Sequence, residues 1–143
     1  MKDILIREFQ YPGDYGTAIE LWESAGAGVR VGPSDAPEEI QKKLKRDPDL
    51  FLVAEAGSEL IGTVMGGFDG RRGMVYHLAV SAPFRRRGVA TQLMAELERR
   101  LRLKGCIRAY LVVLPDNVAA MRHYESIGWG QLPDFLYAKD LPR

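Results

Sequence analysis

At 143 residues, with 46% hydrophobic and 27% charged side chains, the chain fits one compact domain around one hydrophobic core. No apolar run approaches the roughly 18 residues that a spanning helix needs, and acids at Asp3 and Glu8 flank the first short one, which argues against a secretory leader and predicts a cytoplasmic protein. A net charge of +1 excludes a global pull toward nucleic acid or membranes, and one cysteine, Cys106, with only His77 and His123, excludes an internal disulfide and a Cys/His zinc site, so no metal is expected.

Ile4 and Ile6, alternating with Leu5 and Arg7, predict an opening strand. Residues 14–23 then predict a helix with Ala18, Leu21 and Trp22 on one face. The run Ala25-Gly26-Ala27-Gly28 is too rich in glycine to continue it. Pro33-Ser34-Asp35 sets up a new helix start with Glu38 placed as in a capping box, and that helix would bury Ile40 and Leu44. Residues 50–54 and 60–65, joined by Gly57-Ser58, predict an antiparallel hairpin.

A third strand is expected over residues 74–80 after the turn at residues 69–73. The clearest helix follows, with Ala90, Leu93, Met94, Leu97 and Leu101 on one face and Glu96–Arg100 and Glu98–Arg102 as i,i+4 pairs on the other. Gly105 stands where a C-terminal cap belongs. Residues 109–114 are almost continuously apolar and end at Pro115, which predicts a strand covered on both faces and, across the intervening helix, parallel to the 74–80 strand. Residues 117–127 predict a last amphipathic helix closed by Gly128, and residues 135–139 a closing strand.

The chemistry concentrates where Leu78-Ala79-Val80 runs through Ser81-Ala82-Pro83-Phe84 into Arg85-Arg86-Arg87-Gly88-Val89-Ala90 at a helix start. Such a junction offers unpaired backbone N–H groups and the positive end of the helix dipole, and a glycine lets an anion approach the backbone closely. It suits a pyrophosphate; on its own it reads rather as a plain helix start with three solvated arginines. No Lys-Ser or Lys-Thr follows the glycine and no Gly-x-Gly-x-x-Gly run occurs, which argues against nucleoside triphosphate and dinucleotide sites.

Arg85-x-x-Gly88-x-Ala90 resembles the Gln/Arg-x-x-Gly-x-Gly/Ala signature of the GCN5-related N-acetyltransferase (GNAT) family, and the segment from Asn117 through Ala120 and Tyr124 to Gly128-Trp129 resembles that family's Asn-x-x-Ala-x-x-x-Tyr-x-x-x-Gly-Phe/Trp block. The resemblance implies an α/β (α+β) fold: a largely antiparallel mixed sheet with a central, splayed parallel strand pair flanked by helices. It implies acetyl-coenzyme A as cosubstrate, with the backbone of Leu78, Ala79 and Val80 at its acetyl and pantetheine end. Arg85, Arg86, Arg87, Gly88, Val89 and Ala90 would hold the pyrophosphate and Asn117 the pantetheine arm. Tyr124 would stand beside the sulfur as general acid, since a phenol is a donor at neutral pH.

An amine must be neutral to attack a thioester, yet neither residues 74–80 nor 109–114 contain Asp or Glu. That leaves His77, an acid from elsewhere such as Glu23, or water as the base. Trp22, Glu23, Arg30 and Asp69 are candidates for the acceptor site. The acceptor would be a small-molecule or peptide amine, a ribosomal-protein N-terminus included; nucleic acid and membrane are not expected as partners, and a homodimer stays open. A non-catalytic acetyl-CoA sensor is the alternative from another class, supported by the missing strand carboxylate.

Overall fold

A computed structural model describes residues 3–142. Five strands, β1 (Ile4–Glu8), β2 (Phe51–Ala56), β3 (Glu59–Phe68), β4 (Gly73–Val80) and β5 (Ala109–Leu111), lie in that spatial order in one sheet. The first three pairings are antiparallel and β4–β5 is parallel. Four α-helices accompany them: α1 (Tyr15–Ser24), α2 (Pro37–Arg46), α3 (Val89–Leu103) and α4 (Val118–Ser126).

The two-residue period of β2 divides the core. Leu52, Ala54 and Ala56 face one apolar cluster with Val89, Leu93, Met94, Leu97 and Leu101 of α3. Phe51 and Val53 face another with Ala18, Leu21 and Trp22 of α1 and Ile40 of α2. β2 is therefore covered on both sides, and all its residues except Glu55 are buried. Helix α3 uses the expected stripe, although Val89 rather than Ala90 is its first buried residue. It ends in a Schellman motif, with Gly105 N bonded to Arg102 O at 2.9 Å and Cys106 N to Leu101 O at 3.0 Å. Glu96 pairs with Arg100 at 2.8 Å, whereas Glu98 accepts from Trp129 Nε1 at 3.3 Å instead of meeting Arg102.

β3 and α3 pack so closely that a Cβ added at Gly66 would stand 2.6 Å from Leu97 Cδ1. Gly66→Ala is expected to destabilise the fold by about 1–3 kcal/mol, the usual penalty for overpacking. The check is a lower denaturation midpoint at an unchanged m value.

Several expectations need correcting. The second helix starts at Pro37, with Ala36 as an N-cap that makes no side-chain bond, so Asp35 does not cap it. β5 stops at Leu111 instead of reaching residue 114, because its ladder with β4 ends at the Val75–Leu111 pair; Val112 beyond it is 55% exposed. Residues 135–139 are coil, with Phe135, Leu136 and Tyr137 exposed, since no ladder partner or packed face engages them. The parallel pair consequently forms one side of the described sheet rather than its centre.

Candidate active site

Two irregularities of β4 make the site. Only residues 73–75 pair with β5, so the edge of β4 from Tyr76 to Val80 that faces away from β3 has no strand partner. On its other edge the β3–β4 register slips between Thr63 and Met65, and the extra β4 residue is accommodated at His77, whose φ is +51°. A left-handed backbone is uncommon for a residue with a side chain and persists where the surroundings over-determine it.

Here they do. The Thr63 hydroxyl donates to His77 O at 2.8 Å and itself accepts from Trp22 Nε1 at 2.8 Å. The Trp22 ring meets the His77 ring edge-on, with centroids 4.5 Å apart. On the far side of the imidazole, Nε2 lies 2.8 Å from Oδ1 of Asp35. Asp35 is only 4% exposed, and its other carboxylate oxygen accepts from Gly32 N at 3.0 Å.

His77 and Asp35 share the wall of a cleft of about 1690 Å³ with Tyr76 of β4 and Met121, Tyr124 and Trp129 from α4 and its C-terminal turn. Burial pushes the Tyr124 phenol up to about 12, so it keeps its proton at any ordinary pH. Its ring is wedged edge-on against Trp129 at 6.3 Å. The cleft thus joins a donor that stays protonated to an imidazole whose orientation is fixed.

The phosphate-type junction is formed by a short 3₁₀ turn at Ala82–Phe84, the arginines and the N-terminus of α3. Gly88, at φ +80°, is the N-cap of this 15-residue helix and supplies no side-chain cap, while Arg86 is also left-handed at φ +64°. The N–H groups of Arg86 and Gly88 have no partner among the described residues. They add to the free first-turn N–H groups, Val89 and Ala90 included, as a ready anion cradle. The three arginines differ: Arg85 Nε is spent on Val80 O at 3.0 Å, Arg87 lies over the Phe84 ring, and Arg86 projects from the loop.

Other candidate residues fall in different places. Ala79 is buried on the α1–α2 face, while Leu78 and Val80 pack partly against the α3 face. Asn117 is the N-cap of α4, its Oδ1 accepting from Ala120 N at 3.2 Å. Trp22 is fully buried behind His77 and does not line the cleft, because its indole N–H is needed inside, at Thr63. Glu23 and Arg30 are exposed and outside the cleft wall. Asp69 does line it, but its Oδ1 closes the β3–β4 turn by accepting from the N–H groups of Arg71 and Arg72 at 2.8 Å each. Those bonds hold its carboxyl below the usual carboxylate range. Asp35 was not among the sequence candidates, because in the sequence it reads as a helix cap and its contact with His77 spans 42 residues.

Residues 16–129 match the acetyltransferase (GNAT) family. An acetyltransferase of Pectobacterium atrosepticum is 44% identical over 115 residues, covering 80% of this chain and 79% of that protein. The crystal structure of Ard1 from Thermoplasma volcanium superposes with a TM-score of 0.76 at 25% identity, over 87% of this chain and 81% of that one. The structure of the aminoglycoside acetyltransferase AAC(6')-Iy with a coenzyme A bisubstrate analogue also gives a TM-score of 0.76, at 20% identity, over 98% and 99% of the two chains.

Proposed function

The chain belongs to the acetyltransferase (GNAT) family, and from that premise we propose that it transfers the acetyl group of acetyl-coenzyme A directly to a primary amine of a small molecule or peptide. The observation that carries this is the presence of His77 and Tyr124, from different elements, in the wall of one cleft beside a strand edge that has no strand partner among the described residues.

The residues present fit the cosubstrate. Unpartnered N–H groups at Arg86 and Gly88, with the dipole of α3 behind them, suit a pyrophosphate. The open edge of β4 through Leu78, Ala79 and Val80 can accept an extended amide-bearing arm as a further strand would be accepted. Asn117, with its Oδ1 committed to α4, keeps its side-chain N–H₂ for that arm. Acetyl-coenzyme A supplies an activated thioester.

The protein side of the chemistry is proton management. His77 takes a proton from the bound ammonium and so frees the electron pair of the nitrogen for the new bond to the acetyl carbon, and the second N–H proton leaves with the departing thiolate. Tyr124 donates its O–H to the sulfur on which the electrons of the breaking C–S bond collect. A second reading, a non-catalytic acetyl-CoA sensor, rests on the missing carboxylate of β4 and β5; Asp35 beside His77 weighs against it, because it brings a carboxylate to the same place from another element. The deciding experiment is a panel of small amines, polyamines, aminoglycosides and peptides with free N-termini or lysines, read by release of free coenzyme A thiol. Release with no member of the panel, at saturating acetyl-CoA, would favour the sensor.

Binding is tested separately. Acetyl-CoA at a hundredfold excess over Kd should stabilise the fold by about 2.7 kcal/mol, seen as a raised thermal midpoint, with ATP and NAD giving much less. Gly88→Val should abolish most of that shift, because a branched side chain is strained at φ +80° and blocks the approach to the N–H groups. Arg86→Ala should remove only a salt-screened part. An equal shift from all three nucleotides would reduce the loop to a generic anion site.

A further inference from the structure

We infer that Asp35 is a positioning residue for the base: it holds the His77 imidazole with its proton on Nε2, and so makes Nδ1 the nitrogen that receives the proton of the amine. The inference rests on the proposal that His77 is that base.

Asp35 closes the short 3₁₀ turn Pro33–Asp35 by accepting from Gly32 N, but that engages only Oδ2 and leaves Oδ1 without a use in the turn or in α2. Helix α2 begins two residues later at a proline, which has no N–H to be capped, and its N-cap Ala36 makes no side-chain bond. A carboxylate that is only 4% exposed is nevertheless kept there, although burying one is costly unless every lone pair is used. Its surroundings are built to hold it. Tyr15 Oη–H donates to Asp35 O at 2.7 Å. Asp35 N donates to Gly32 O at 2.9 Å, while Gly32 N donates back to Oδ2 at 3.0 Å. What these bonds leave over is Oδ1, and it points at His77 Nε2 at 2.8 Å.

An ionised carboxylate only accepts, so the ring nitrogen facing it carries the hydrogen. A neutral imidazole has one N–H, and Nδ1 is then a lone pair. The ring cannot easily turn to exchange its nitrogens. Trp22 stands edge-on against it at 4.5 Å, and its backbone is fixed in the left-handed region by the Thr63 hydroxyl on His77 O. When Nδ1 takes the proton, the imidazolium that forms already faces a carboxylate through Nε2–H. No charge has to be found for it from solvent.

The orientation of an amide at position 35 follows from the same contacts. In Asp35→Asn the Gly32 N–H still requires an acceptor, so the amide oxygen stays on that side and the –NH₂ faces His77. Nε2 must then become the acceptor, the ring proton moves to Nδ1, and the base nitrogen is blocked. The substitution preserves size and removes the tautomer.

The experiment is nitrogen NMR on the full chain labelled with ¹⁵N-histidine, which contains two histidines, His77 and His123, together with steady-state kinetics. Wild type at neutral pH is expected to show His77 as the Nε2–H tautomer, and Asp35→Asn to show Nδ1–H. The kcat of the variant should fall by roughly a hundredfold or more, with KM for acetyl-CoA unchanged. In a His77→Asn background, Asp35→Asn should cost less than about threefold, because two residues acting as a unit do not add. A wild-type Nδ1–H signal, or an Asp35→Asn loss of the same size with and without His77, overturns the inference. The wild-type spectrum needs no variant and no turnover, so misfolding of Asp35→Asn would not remove the test. Full activity of His77→Asn alongside the expected tautomers would overturn the base assignment alone, and the spectra would still support the hold of Asp35 on the ring.

Discussion

Tyr124→Phe is expected to lower turnover with a good amine acceptor by roughly a hundredfold, while affinity for acetyl-CoA barely changes. The substitution deletes one oxygen and keeps the ring that packs against Trp129. The phenol is pushed up to about 12 by burial, whereas an ordinary thiol lies near 8.5. Complete transfer of the proton to a departing thiolate would therefore be uphill by roughly 3.5 pKa units, or about 5 kcal/mol. In the proposed role, Tyr124 would act more by donating a hydrogen bond to the sulfur as charge builds there than by losing its proton. The raised value also fixes the sign of the pH dependence: the neutral donor is the form that acts, so Tyr124 contributes no loss of rate until the pH nears 12. An unchanged kcat in the variant, with chemistry shown to be rate-limiting, would return Tyr124 to a packing role.

The fold was legible wherever a period is repeated often enough to average out exceptions. The stripe of α3 from Leu93 through Met94 and Leu97 to Leu101 is buried as expected, and the β2–β3 hairpin forms around Gly57-Ser58. The two strand expectations that failed, at residues 112–114 and 135–139, rested on apolar composition alone. Composition says that a segment could pair, not that a partner edge is within reach. β5 runs out of partner because β4 diverges from it, and that divergence is itself the feature that opens the site.

The site divided along a similar line. Local motifs placed the α3 junction and the α4 helix, since glycine at a helix start and asparagine at another are consequences of short-range geometry. The Asp35–His77 contact spans 42 residues and has no local signature. Asp35 read as a cap because capping and holding an imidazole both require a short side chain carrying an acceptor oxygen. The left-handed backbone of His77 was equally hidden: it follows from a register slip between two strands, not from anything in the preference of histidine. The proposed base is thus supplied by a strand and steadied by a loop, in a chain whose parallel strands carry no acid.

His77→Asn should produce the larger loss, roughly a hundred- to a thousandfold in kcat near pH 7 for a lysine-like acceptor, with acetyl-CoA affinity retained. Asparagine tolerates a left-handed backbone better than most residues, so the β4 irregularity at φ +51° can survive. Its amide reaches only about as far as Nδ1 of the imidazole, so it neither replaces the Nε2 contact with Asp35 nor takes a proton. The pH dependence supplies the decisive sign. An alkyl amine with a pKa near 10.4 is almost wholly protonated at pH 7, and its neutral fraction rises about tenfold per pH unit until the pH approaches that value. Without a base the enzyme depends on that fraction, so the rate of the variant should climb with pH and its deficit relative to wild type should shrink between about pH 7 and 10. Rates of both proteins at saturating acetyl-CoA across that range, using an acceptor of known pKa, provide the measurement. A deficit that stays constant would mean that the imidazole does not remove the proton of the amine and that His77 acts through its packing on Trp22.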